Sequence, residues 1–125
     1  MLKSAIIAGA LLLVISAGAE SAPKQVIEAI IKVESGGRAH VTGSAGEIGL
    51  MQIRCQSARG IGFKGNCRDL YDARTNVRWG TAYFAEALRS AGGHLDTAIS
   101  RYQRGIYSKY RGCSAYCRKV KAAMR

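Results

Sequence analysis

Apolar residues recur at helical spacing along most of this chain, and glycines separate the successive runs. The first run predicts a helix that is capped by Ser21, carries Pro23 in its first turn and ends at Gly36-Gly37; its apolar positions are Val26, Ile27, Ile30, Ile31 and Val33. The same spacing predicts further helices over Leu50 to Ala58, from after Asp72 to Gly92-Gly93 with Thr75 or Asn76 as its cap, over Leu95 to about Gln103, and over Ala115 to Met124.

Alternating strand patterns are almost absent from the chain. One short hairpin between Arg38 and Ile48 is compatible with the turn chemistry of Thr42-Gly43-Ser44. The pattern therefore predicts a mainly α fold with a small core.

The first 19 residues have the pattern of a secretory signal peptide. Lys3 supplies the positive charge, Ala5 to Ile15 is apolar, and Ala17-Gly18-Ala19 supplies small residues for cleavage. A retained anchor is the alternative, although the apolar run is short for a membrane span. We expect residues 20–125 to form one domain of a periplasmic or secreted protein, with no stable membrane anchor after cleavage.

The chain contains four cysteines, an even number that suggests two disulfides in a small exported domain. Three connectivities are possible, and the short separations favour Cys55–Cys67 and Cys113–Cys117. A zinc site is the alternative. It is disfavoured because the chain has no Cys-x-x-Cys, and because both histidines lie far from the cysteines in sequence. We therefore predict a disulfide-reinforced fold without a metal.

Acidic residues are scarce, so each can be considered separately. The spacings of Glu28 to Lys32 and of Glu86 to Arg89 predict exposed ion pairs on helices, and Asp96 is a candidate helix cap. Glu34 differs because it lies in the last turn of an apolar helix, where the helix dipole and partial burial both raise the pKa of a carboxyl group. A group with such a pKa can act as a general acid, whereas the alternative is a solvated carboxylate before the glycine stop.

Four short motifs follow one another from Glu34 to Gly105. Together they resemble the lytic transglycosylase domain of the soluble-transglycosylase family, which belongs to the lysozyme superfamily and shares its fold with goose-type lysozyme. The motifs are Glu34-Ser35, then Gly49-Leu50-Met51-Gln52, then Asn76 with Gly80 and Tyr83, and then Tyr102-Gln103-Arg104-Gly105. Each motif alone is weak, but the ordered set is specific. The resemblance implies a small, lysozyme-like helical domain with a cleft.

The resemblance also implies roles for individual residues. Glu34 matches the catalytic acid and base, and Ser35 is its partner in the motif. The residues expected at the sugar cleft are Ser35, Met51, Gln52, Tyr83, Tyr102, Gln103 and Glu47. For Tyr83, core packing is an equally good interpretation.

The chain departs from the family pattern at two positions. Gln103 stands where the family usually has asparagine, so its amide lies one methylene further out. Glu47 stands where the family often has alanine. A second carboxylate near the cleft is a feature of hydrolytic glycosidases, although a solvent-facing side chain is the preferred interpretation of Glu47.

The implied reaction cleaves the β-1,4 bond between N-acetylmuramic acid and N-acetylglucosamine and closes a 1,6-anhydro ring, with Glu34 as the one acid and base and with no cofactor. The alternatives are a muramidase that hydrolyses the same bond and a non-catalytic cationic wall-binding protein. The expected partner is peptidoglycan. A secretion or envelope machine is a possible further partner.

The net charge of +11 suits an anionic partner. Peptidoglycan meets this requirement through the carboxylates of its stem peptides. The segment Tyr107-Ser108-Lys109-Tyr110-Arg111 interleaves aromatic and basic residues, which is a weak indication of nucleic-acid binding. Export argues against that partner, so no nucleic acid is expected.

Overall fold

The computed structural model describes residues 22–125, which contain five α-helices, one 3₁₀ helix and two isolated β-bridges. The helices are α1 (Lys24–Ser35), α2 (Cys55–Gly60), α3 (Ala73–Ser90), α4 (Leu95–Arg104) and α5 (Ala115–Ala123), with the 3₁₀ helix (Cys67–Tyr71) before α3. The mainly α prediction is confirmed. The predicted signal peptide and the predicted cap Ser21 lie outside the described residues.

Two clusters of buried side chains hold these elements together. The larger cluster joins α1, α3, α4 and α5 through residues such as Ile30, Phe84, Ile99 and Val120. The smaller cluster lies in residues 41–71, here called the small lobe, and consists of Ile48, Ile53, Ala58, Phe63 and Leu70. Helix α3 contacts α2, the 3₁₀ helix and α4, so it connects the two clusters. Within residues 22–125, every helix is too short or too polar to cross a bilayer.

The second predicted helix begins later than expected, and the short hairpin considered between Arg38 and Ile48 is present as one antiparallel bridge, from Thr42 to Ile48. A second antiparallel bridge joins Ile48 to Ile53. Ile48 and Ile53 exchange both backbone hydrogen bonds, at 3.0 and 3.2 Å, and this pairing replaces helical bonding over Leu50 to Ile53. The tight connection between them requires positive φ at Gly49 and Gln52, so α2 starts only at Cys55.

The residues that cap three helices differ from the sequence prediction, although α4 starts at Leu95 as expected. Pro23 is the residue that precedes α1. Helix α3 is capped by Asp72, whose carboxylate accepts a 2.9 Å hydrogen bond from the Thr75 amide, so neither Thr75 nor Asn76 is the cap. Helix α4 begins after His94, and Asp96 lies inside its first turn.

The predicted roles of two acidic residues also change. Asp96 forms an ion pair at 3.0 Å with Lys121 of α5 instead of capping its own helix. Glu28 pairs at 3.6 Å with Lys24, one turn before it, and not with Lys32. The pair between Glu86 and Arg89 is confirmed. All of these pairs are largely exposed, so we expect each to contribute little to stability.

The four cysteines form the two disulfides that the short separations favour, Cys55–Cys67 and Cys113–Cys117. The first joins the start of α2 to the start of the 3₁₀ helix, and the second joins the chain before α5 to its first turns. Since each sulfur is bonded to another sulfur, none is available as the thiolate that a zinc site would need.

Asn76 fastens the small lobe to α3. Its side chain is fully buried; Oδ1 accepts a 2.8 Å hydrogen bond from the amide of Met51, and Nδ2 donates to the carbonyls of Ile48 and Leu70, both at 2.7 Å. Gly49 makes room for it, because a Cβ there would lie 2.5 Å from Nδ2. One amide therefore satisfies the Met51 amide and the Leu70 carbonyl, and it gives a second donor to the Ile48 carbonyl, which also accepts from Ile53.

Candidate active site

An open cleft of about 560 Å³ lies between the small lobe and the helices. Its walls come from every part of the chain that carries one of the four motifs. The lining residues are Glu34 from α1, Glu47, Gln52, Ile53, Arg54 and Ser57 from the small lobe, Tyr83 from α3, and residues 102–105 at the end of α4. The structure thus brings together six of the predicted site residues: Glu34, Glu47, Gln52, Tyr83, Tyr102 and Gln103.

Glu34 lies in the last turn of α1, which ends at Ser35. Gly36 adopts a left-handed conformation, and its amide bonds to the carbonyls of Ile31 and Lys32. The half-buried carboxyl of Glu34 has its pKa raised from the usual 4.5 to about 7. Burial away from water is the largest cause, and the negative charge of Glu47 adds to it, while the nearby Tyr116 hydroxyl acts in the opposite direction. The raised pKa agrees with the sequence prediction.

This raised pKa makes folding stability depend on pH. Between pH 4.5 and about 7 the folded protein binds more protons at Glu34 than the unfolded chain, so the free energy of unfolding falls as the pH rises through this window. We expect Glu34→Gln to be more stable than the unsubstituted protein by roughly 1 kcal/mol above pH 7, after allowance for solvent screening at a partly exposed site.

The measurement is urea unfolding at about pH 4 and about pH 8. The gain in unfolding free energy should be present at the higher pH and absent at the lower one. Glu28→Gln is the matched control, because it removes the same charge from an exposed position of α1. A gain of equal size at both values would contradict the assigned pKa.

Glu47 lies in the cleft wall, which corrects the preferred sequence interpretation of a solvent-facing side chain. Its side chain is only 24% exposed, and Oε1 lies 3.6 Å from Nη2 of Arg54. Gly43 permits this position, since a Cβ on Gly43 would overlap the Glu47 carboxylate. The cleft therefore contains two carboxyl groups, of which Glu47 has a cationic neighbour.

Two tyrosines form an aromatic wall beside Glu34. The rings of Tyr83 and Tyr102 meet edge to face with their centroids 5.6 Å apart. Tyr102 is largely buried, and its hydroxyl donates a 2.7 Å hydrogen bond to the carbonyl of Met51. Burial is also the main reason why the pKa of Tyr102 is far above its usual value. The Tyr102 hydroxyl proton is thus held in a hydrogen bond within the protein, and the ring is the part of Tyr102 that lines the cleft.

The Gln52 side chain is also partly held by hydrogen bonds to the backbone. Nε2 donates to the carbonyls of Val41 at 3.1 Å and Gly49 at 3.0 Å. The residue has φ of 48°, which is uncommon for a residue with a side chain. With the amide nitrogen bound in this way, the Gln52 oxygen remains as an acceptor for a ligand in the cleft.

The positions of Ser35 and Met51 do not match their predicted contact with the glycan. Both side chains are buried, with exposures of 2% and 0%. The Ser35 hydroxyl donates to the carbonyl of Ile31 and accepts from the amide of Gly37, so it stabilises the end of α1. Met51 packs against Gly80 of α3, where a Cβ would lie 2.5 Å from its sulfur. These two residues support the cleft from beneath its surface.

Six residues at or near the site were not among the predicted site residues. Ile53, Arg54, Ser57, Arg104 and Gly105 line the cleft. Tyr116 of α5 is buried beside Glu34, and within the described residues its hydroxyl has no hydrogen-bond partner other than that carboxyl. Because Tyr116 fits the apolar face of α5, helical periodicity marks it as a core residue, and its sequence carries no signal of its closeness to Glu34.

The sequence is similar both to a protein family and to a curated protein. A family model described as "Transglycosylase SLT domain" matches residues 14–120. A curated relative, membrane-bound lytic murein transglycosylase E of Buchnera aphidicola subsp. Baizongia pistaciae (strain Bp), is 42% identical over 67 residues, which cover 48% of this chain and 32% of the relative. The chain thus spans about a third of the length of that relative.

Proposed function

This chain belongs to the transglycosylase SLT domain family, and from that premise we propose that it is a peptidoglycan lytic transglycosylase with Glu34 as its acid and base. The observation that carries the proposal is the position of Glu34: a half-buried carboxyl at the wall of an open cleft, with a pKa of about 7. At this pKa a substantial fraction is protonated at neutral pH, and the ionised form is equally accessible after proton transfer.

The proposed reaction needs one group to give and then take a proton. Protonated Glu34 donates to the glycosidic oxygen between N-acetylmuramic acid and N-acetylglucosamine, and the bond from that oxygen to the muramic C1 breaks. The N-acetyl group of the muramic residue stabilises the positive charge at C1. The carboxylate of Glu34 then accepts the proton of the C6 hydroxyl as its oxygen bonds to C1, which closes the 1,6-anhydro ring. No water is consumed.

Neighbouring residues support the two protonation states of Glu34 in different ways. The charge of Glu47 favours the protonated form that begins the reaction. The Tyr116 hydroxyl favours the ionised form that follows proton transfer, because it can donate a hydrogen bond to the carboxylate. The ring of Tyr102 and the amides of Gln52 and Gln103 are the proposed contacts for the sugars.

A muramidase is the second candidate, and the carboxylate of Glu47 in the same cleft favours it. A hydrolase would use that carboxylate to activate water or to stabilise the positively charged sugar.

A third candidate, a cationic wall-binding protein without catalysis, would retain sacculi binding but release no soluble fragments. The word murein in the name of the relative agrees with peptidoglycan as the substrate. For this chain we propose a location in the cell envelope, reached by export.

Digestion of purified sacculi, with the products identified by mass, tests these candidates. The proposed reaction yields fragments with anhydro-muramic ends, which are lighter by one water than the reducing ends that a muramidase yields. We expect anhydro ends from the unsubstituted protein and from Glu47→Gln alike. Reducing ends that disappear in Glu47→Gln would favour the muramidase, and an absence of soluble fragments would favour the binding protein.

A further inference from the structure

A second pocket of about 340 Å³ opens beside the cleft. Four residues, Ser57, Tyr83, Arg104 and Gly105, line both cavities, so a molecule bound in the cleft can extend into the second pocket. The two cavities differ in chemistry. The cleft has mostly polar walls, whereas the second pocket has mostly apolar walls from residues such as Ile61, Ile106 and Tyr107.

Arg104 is the cationic group at the boundary of the two cavities. Its guanidinium stacks over the ring of Tyr110, 4.3 Å from the centroid. Tyr110 is itself held in place, because its carbonyl accepts a 3.0 Å hydrogen bond from Arg101. No carboxylate among residues 22–125 forms an ion pair with Arg104. The Arg104 guanidinium is held in place by Tyr110 and has no acidic partner in this part of the chain, so it can bind a carboxylate of a ligand.

Tyr107 provides the apolar side of the pocket. It is the one large hydrophobic residue within residues 22–125 that is exposed, at 91%. Gly105, two residues before it, ends α4 with φ of 111°. The chain turns there, so that Ile106 is buried and Tyr107 faces outward. The ring contributes little to the core in this position, and it leaves an apolar surface next to Arg104.

We propose that this pocket binds the stem peptide of peptidoglycan while the glycan lies in the cleft, an inference that rests on the proposed function. A peptide bears small apolar side chains and carboxylates, which match the apolar wall and Arg104. A further stretch of glycan would instead need polar groups for its many hydroxyls, and these are few in the pocket. The pocket therefore selects peptide-bearing strands over strands that have lost their peptides.

Equilibrium binding in a Glu34→Gln background tests this without turnover. Two glycan oligomers of equal length are compared, one with stem peptides and one from which an amidase has removed them. We expect tighter binding of the peptide-bearing oligomer. Arg104→Gln should weaken binding of that oligomer about tenfold, the usual effect of one charge-assisted contact at a partly exposed site. It should weaken binding of the bare oligomer much less.

Two further variants separate the pocket from general charge and from folding. Arg111→Gln removes the same charge from the same loop without lining either cavity, and it should leave the preference for the peptide-bearing oligomer intact. Tyr107→Ala should reduce that preference about threefold, because the bound peptide would cover only part of the Tyr107 ring and so bury a modest apolar area. Since Tyr107 is exposed, loss of folding cannot explain such a result.

The possible outcomes distinguish this proposal from the proposed function. Equal affinity for the two oligomers, or an equal loss of both affinities in Arg104→Gln, would overturn the peptide pocket while leaving the function standing. Failure to bind either oligomer, together with failure of the unsubstituted protein to cleave sacculi, would overturn both.

Discussion

Glu34→Gln should lower the rate of peptidoglycan cleavage by about a thousandfold or more, which is the usual contribution of a positioned general acid and base. Glutamine has nearly the shape of a protonated glutamate, so the cleft and its sugar contacts should be retained. It cannot donate a proton to the glycosidic oxygen or accept one from the C6 hydroxyl. The loss should therefore appear in kcat, with little change in the affinity for glycan.

The rate measurement is release of soluble fragments from sacculi. Glu28→Gln is the control, since it removes a carboxylate from the exposed face of the same helix. The unsubstituted protein should also lose activity as the pH rises above about 7, because the donor is then ionised before the sugar bond breaks. Turnover by Glu34→Gln within a few-fold of normal would refute the assignment of Glu34.

Asn76→Ala should have the largest effect on stability, lowering the free energy of unfolding by about 4 kcal/mol. The variant removes the partners that Asn76 gives to the buried Met51 amide and Leu70 carbonyl, and it leaves the Ile48 carbonyl with Ile53 as its donor. A loss of this size is a large part of the 5–15 kcal/mol, roughly, that keeps a small domain folded. It should also disturb the cleft, because the carbonyl of Met51 accepts the hydroxyl of Tyr102.

Urea unfolding followed by circular dichroism measures this loss. Asn66→Ala is the matched control, because it makes the same change at an exposed asparagine that precedes the 3₁₀ helix. We expect the control to cost about 1 kcal/mol or less, in the range of helix caps. A loss in Asn76→Ala no greater than in the control would show that the three hydrogen bonds do not hold the small lobe.

Local patterns predicted most of the helices, because apolar periodicity is a property of neighbouring residues. Helices α1, α3 and α4 lie where that periodicity ends at glycines, and α5 begins at Ala115 as the spacing predicts. The helix start predicted at Leu50 is wrong, since the backbone of this apolar run bonds to Ile48 and places Gln52 at positive φ instead of entering a helix. The wrong partner predicted for Glu28 has a simpler cause, because Lys24 and Lys32 both lie four residues from it on α1 and spacing alone does not choose between them.

The sequence by itself determined the helical class and favoured the two short-range cysteine pairs, because each depends on residues close together in the chain. It also predicted Glu34 as the acid and base, through the resemblance that four motifs between Glu34 and Gly105 carry. Only the tertiary structure decided that Glu47 shares the cleft with Glu34, that Tyr116 lies beside it, and that Ser35 and Met51 are buried beneath it. These relations depend on how distant segments pack. Burial and charge act through space, so the pKa of Glu34 is a property of the folded molecule.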